Sequence, residues 1–128
     1  MKQILSNDII NQYMPTLVKC PLFNTLGEPE LRSYLNNAKV IIHSYQKNDF
    51  IALAGDPMEG IGVILEGSAL LTRENVMGQR VIMANLEQSD IFGEALLFSK
   101  QPLWPATIKA TKATKIMFTP LETFIKTL

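Results

Sequence analysis

The sequence predicts a mainly β protein, an antiparallel double-stranded β-helix or jelly-roll-type β-roll with short helices at its flanks. Two observations carry this. From Lys39 onward the apolar period is two, and turn residues interrupt the chain every few positions. At 128 residues and 47% apolar, the chain closes one domain around a real core and is too short for two.

The first 38 residues read as a helical segment. Ile9 and Ile10 pack one turn, and Leu17 to Leu22 form an apolar patch broken by Pro21. Glu28-Pro29-Glu30 then puts proline and acid into a first turn, and Leu31 and Leu35 share a face, which predicts a helix over about 29–37.

Residues 39–119 form the predicted β-roll. Val40 to Tyr45 alternates, and Gln46-Lys47-Asn48-Asp49 is a turn in which Asn48 suits a left-handed backbone. Phe50-Ile51 opens the next strand. Gly55-Asp56-Pro57 and Glu66-Gly67-Ser68 punctuate a strand at Gly60 to Leu65. Asn75-Val76-Met77-Gly78 separates two longer strands, Ala69 to Glu74 and Gln79 to Leu86.

The Gly-Glu entry and Ala-Leu-Leu run of Ile91 to Phe98 predict a turn or two of helix set among strands. Strands at about 106–110 and 115–118 follow. Residues 120–128 start a final helix, with Thr119 as cap, Pro120 in the first position and Glu122 completing a capping box. No glycine terminates it, so a longer natural protein is expected.

The formal net charge is zero, which gives no sign of direct contact with nucleic acid or an anionic membrane. Five lysines lie from Lys100 onward against one acid, Glu122, and read as solvated strand faces. The single cysteine, Cys20, excludes an internal disulfide, and it and the six methionines read as packing residues. With neither a membrane-length apolar run nor a signal-peptide core, the expected location is cytoplasmic.

Catalytic signatures fail. Gly60-Ile61-Gly62 is half of a dinucleotide fingerprint with Leu65 where the third glycine belongs. Ser44-Tyr45-Gln46-Lys47 has a serine-lysine spacing but lacks the companion motifs. The lone histidine, His43, reads as a strand residue and argues against a cupin-like metal enzyme. The protein is not expected to be an enzyme.

Five short pieces carry a family resemblance: Pro21-Leu22-Phe23; Tyr45-x-Lys47-Asn48-Asp49-Phe50-Ile51-x-x-x-Gly55-Asp56; Ile64-Leu65-Glu66-Gly67-Ser68; Phe92-Gly93-Glu94-Ala95-x-Leu97-Phe98; and Pro105-Ala106-Thr107. In order and spacing they resemble the cyclic-nucleotide-binding domain of bacterial Crp/Fnr transcription regulators. The resemblance implies a small-molecule effector bound by Phe92, Gly93, Glu94, Ala95, Trp104, Pro105, Ala106 and Thr107, with the glutamate matching Glu94 holding a ribose hydroxyl. It also implies a homodimer in the full-length protein and DNA contact only through a domain absent from this chain.

Physically, glycine at a helix start lets backbone N–H groups approach an anion. The family's phosphate-binding arginine, however, is replaced by Trp104. An indole supplies one neutral donor where a guanidinium supplies charge and a two-pronged fork. Removing a buried charged partner costs about 3–5 kcal/mol, so a cyclic nucleotide is not expected as a tight ligand.

Trp104 has three readings: packing on Leu97, Phe98 or Leu103, lining a pocket for an aromatic or neutral effector, or bordering a residual nucleotide site with Lys100 as substitute charge. Glu94 is either a site residue or a helix-end acid. No cofactor or metal is expected. The alternative reading is a regulatory module of a channel, kinase or transporter with the same fold.

Overall fold

A computed structural model describes residues 2–4, 6–58, 60–94, 100 and 103–120. The described elements run β1 (Lys2–Ile4), α1 (Asn7–Leu17), α2 (Glu28–Asn37), β2 (Ile41–Tyr45), β3 (Phe50–Ala52), β4 (Gly60–Glu66), β5 (Ala69–Glu74), β6 (Arg80–Leu86), β7 (Ile91–Phe92), β8 (Thr107–Ala110) and β9 (Thr114–Pro120).

All pairings are antiparallel. One sheet has the order β1-β2-β9-β4-β7 and the other β3-β8-β5-β6. The predicted β-roll with flanking helices is the fold observed.

Strand β4 shows why the roll needs both helices and a second sheet. Every residue from Ile61 to Leu65 is buried, because Val63 and Leu65 join the helices' cluster while Ile64 faces the roll interior. A strand covered on both faces reads as a continuous apolar run.

On the helix side, Ile10, Tyr13, Met14 and Leu17 of α1 pack with Leu31, Tyr34 and Leu35 of α2. Cys20 is fully buried among them, as its packing role requires, and burial pushes its thiol up from the ordinary value.

Three local expectations change. Residues 2–4 form an edge strand, pairing Lys2 with His43 and Ile4 with Ile41, rather than helix. The single turn expected at Ile9-Ile10 is an eleven-residue helix that carries Pro15 internally. It starts at Ser6, whose hydroxyl accepts from the Ile9 N–H at 3.3 Å.

Thr119 and Pro120 belong to β9 and are not a helix cap and first turn: Thr119 pairs with Ile61 and Pro120 with Gly60. The remainder of the expected final helix, 121–128, lies outside the described residues.

Thr119 is fully buried, and its hydroxyl is hydrogen-bonded to the Tyr34 phenol, tying α2 to β9. Burial holds that phenol above its usual range. Tyr34→Phe leaves Thr119 without this partner and is expected to cost about 1–3 kcal/mol in denaturant unfolding. The double variant with Thr119→Val should recover most of the loss; an additive double variant would show that the two hydroxyls do not act as a pair.

Tyr13 makes the matching tie from α1. Its hydroxyl donates to the Glu66 carboxylate, whose other neighbour is the Lys115 ammonium at 3.7 Å. Burial, then the Glu66 hydrogen bond and charge, hold the Tyr13 phenol above its usual range.

Candidate functional site

The site is built where β7 ends. Phe92 pairs with Gly62 of β4, and Gly93 turns the chain with φ +96°. The Phe92 ring lies against Gly62, where any side chain would occupy the same space. Glycine in β4 therefore serves packing, not a dinucleotide turn.

Trp104 is brought over this turn by a second backbone arrangement. Its N–H donates to the Asp56 carbonyl at 2.9 Å, its carbonyl accepts from Gly55 N–H at 2.8 Å, and Leu103 bridges to Pro57. Gly55 provides this with φ +89°.

The indole is only 8% exposed and tilts at 41° against Phe92, with ring centroids 5.7 Å apart. A methyl group added at Gly93 would come within 3.4 Å of the indole and 2.9 Å of the Met58 Cε. Phe92, Trp104, Met58, Ile64, Ile108 and Ile116 thus form one interior cluster. Leu103, by contrast, is 45% exposed and is not part of this cluster, and the ring that the indole meets among the described residues is Phe92. Leu97 and Phe98 lie outside the described residues.

Beside the indole is a cavity of about 280 Å³. Phe92, Gly93, Glu94, Trp104, Pro105 and Ala106 all line it, joined by Leu71, Ala84, Leu86, Ile91 and Ile108. Thr107 does not. Strand alternation turns Ala106 and Ile108 inward and Thr107 toward a neighbouring hollow, where its hydroxyl accepts from Ala54 N–H at 3.2 Å. Ala95 lies outside the described residues.

Glu94 stands exposed at the rim and is the one ionisable residue among the described lining. No lysine or arginine is on those walls, and Lys100 is exposed and not among them. The arrangement offers apolar and aromatic surface with one carboxylate. Among the described residues no group of three or more His, Cys, Asp or Glu is placed to hold a metal ion, and no helix is long and apolar enough to cross a membrane.

The sequence motifs did not single out Met58 or Gly62 as parts of this site. Met58 carries no local signal, and Gly62 shows only as a glycine inside a strand.

The family model of the cyclic nucleotide-binding domain matches residues 42–128, and the chain belongs to that family. It is 32% identical over 89 residues to the cAMP-activated global transcriptional regulator CRP of Pasteurella multocida (strain Pm70), covering 70% of this chain and 42% of that protein. The chain therefore spans less than half the length of this curated relative.

The sensor domain of the transcriptional regulator DNR from Pseudomonas aeruginosa superposes with TM-score 0.79 at 18% identity, over 93% of this chain and 78% of that one. The catabolite activator protein of Thermus thermophilus gives 0.73 at 24% identity, over 83% and 48%. The regulatory domain of Toxoplasma gondii PKA with cAMP gives 0.80 at 20% identity, over 95% and 45%. At these identities the structural likenesses establish the fold. The resemblance to Crp/Fnr sensor domains read from the motifs is borne out.

Proposed function

We propose that the chain is the effector-sensing domain of a cytoplasmic Crp/Fnr-type transcription regulator whose cavity at Gly93 and Glu94 no longer holds a cyclic phosphate tightly. The domain is regulatory and not catalytic. One observation supports the loss of phosphate binding: Trp104, which by the motif resemblance stands where the family has its arginine, is buried against Phe92 and Gly93, and no described lysine or arginine lines the cavity.

A buried phosphate monoanion needs such a counter-charge, and Glu94 supplies the opposite sign. The ligand residues are Phe92, Gly93, Glu94, Ala95, Trp104, Pro105 and Ala106, with Thr107 behind the wall. Occupancy there shifts the neighbouring strands and the chain leaving β9, biasing the geometry of a homodimer whose DNA contacts belong to another domain. The effector is a small molecule that does not depend on a phosphate.

Calorimetric titration of the domain with cyclic AMP and cyclic GMP tests the central point. No saturable heat is expected at micromolar concentrations, and micromolar binding of either nucleotide overturns the proposal.

A further inference from the structure

Trp104 lines two cavities. Besides the one at Gly93 it borders a second of about 330 Å³, whose lining includes His43 and Tyr45 of β2, Phe118 of β9, Trp104 and Asp56. The strand registers make this aromatic surface continuous. His43 and Tyr45 alternate onto the same face of β2, and Phe118 stands diagonally across on β9, where it pairs with Ile41.

The rings touch in sequence. His43 meets Tyr45 at 6.1 Å and Phe118 edge-on at 5.7 Å, while Phe118 meets Phe92 edge-on at 5.9 Å, and Phe92 meets Trp104.

Asp56 is the carboxylate of this cavity, and no lysine or arginine is among its described lining. The backbone of Asp56 is held by the Trp104 N–H and by its own N–H to the Leu53 carbonyl, which fixes the point from which its exposed side chain reaches the cavity. Among the described residues the ion pairs are Arg32 with Glu28 and Lys115 with Glu66, neither of which involves Asp56. Aromatic faces carry negative potential, and a carboxylate adds to it, so this combination selects a cation with an apolar coat. The protein already uses the same attraction nearby, where the Lys109 ammonium sits 5.7 Å over the Phe50 ring.

We infer that this second cavity is a binding site for a small alkylammonium ligand, separate from the effector cavity at Gly93 and independent of what that cavity binds. A quaternary ammonium is the best-matched head group, since it spreads its charge over methyl groups that lie on rings and carries no donor needing its own acceptor.

The test uses choline and its neutral carbon isostere, 3,3-dimethylbutan-1-ol, titrated at pH 8 while backbone and side-chain NMR shifts are followed. Choline is expected to bind with a dissociation constant on the order of 1 mM or tighter, as suits so small a ligand. Shifts should centre on His43, Tyr45 and Asp56. The isostere should bind at least about fivefold more weakly, and Asp56→Asn, an exposed and isosteric change, should weaken choline by about fivefold without altering the rest of the spectrum.

Equal binding of choline and the isostere overturns the inference, as does an unchanged affinity in Asp56→Asn or absence of saturation at tens of millimolar choline. Shifts centred on Ala84, Leu86 and Gly93 also overturn it, because they place the ligand in the effector cavity. Cyclic-nucleotide titration leaves this result untouched, so failure here and failure of the effector reading are separable.

Discussion

Gly62→Ala is expected to destabilise the domain by about 3 kcal/mol or more, the upper end for one added methyl group. The new Cβ would fall on the far edge of the Phe92 ring, nearest Cζ, Cε1 and Cε2. That ring has no easy escape. Its backbone is paired to Gly62 itself, Trp104 covers one side at 5.7 Å, and Phe118 stands edge-on at 5.9 Å. Relief requires moving the aromatic cluster or prising β7 from β4, and either disturbs the turn at Gly93. The midpoint of guanidinium unfolding measures the loss. Adding Phe92→Leu removes the ring atoms in conflict and should return a substantial part of the stability; a double variant no better than Gly62→Ala alone would place the strain elsewhere.

What the sequence shows of the fold, and what it hides, follows from how local each cause is. The β-roll was legible because strand alternation and turn residues act within a few positions. Asn48 is left-handed at φ 76°, as its place in the Gln46 to Asp49 turn requires. The α1 helix was only half legible. Ile10, Tyr13, Met14 and Leu17 have helical spacing, but Pro15 inside that pattern reads as a break.

Thr119-Pro120 with Glu122 matches a capping box by residue type alone. Pairing with β4 overrides it, since a central strand can extend through the pair as long as its neighbour does. Edge strand β1 was invisible because pairing with β2, not local pattern, makes three residues a strand.

The site divides in the same way. Phe92, Gly93 and Glu94 are contiguous, and Trp104 to Ala106 follow at a recognisable spacing, so both halves could be named before they were seen together. That Thr107 faces away from the cavity depends on strand phase, which a boundary shift of one residue reverses. The second cavity draws on β2, β9 and the Gly55-Asp56 turn, residues far apart in sequence that only the sheet order brings together.

Trp104→Arg is expected to exchange stability for nucleotide affinity. Without ligand, the variant loses the indole's packing on Phe92 and places a guanidinium beside Leu71, Leu86 and Ile108, with Glu94 at the rim as its nearest available counter-charge in the cavity. A cost of about 3–5 kcal/mol is expected, in the range for losing a buried aromatic side chain. With cyclic AMP present, the same guanidinium gains a phosphate it can hold by two parallel hydrogen bonds, improving affinity by about two orders of magnitude or more over the unmodified domain.

Linkage makes the exchange measurable in one experiment. At ligand concentrations about 100 times the dissociation constant, binding returns about 2.7 kcal/mol, so cyclic AMP should raise the melting temperature of the variant while leaving that of the unmodified domain unchanged. Trp104→Leu separates charge from space, because it vacates the indole's volume without supplying a cation. Binding by the leucine variant equal to that of the arginine variant would mean that the indole excludes the nucleotide by bulk. A folded arginine variant that still ignores cyclic AMP would move the cause to Pro105, which lacks a backbone donor next to the proposed phosphate position.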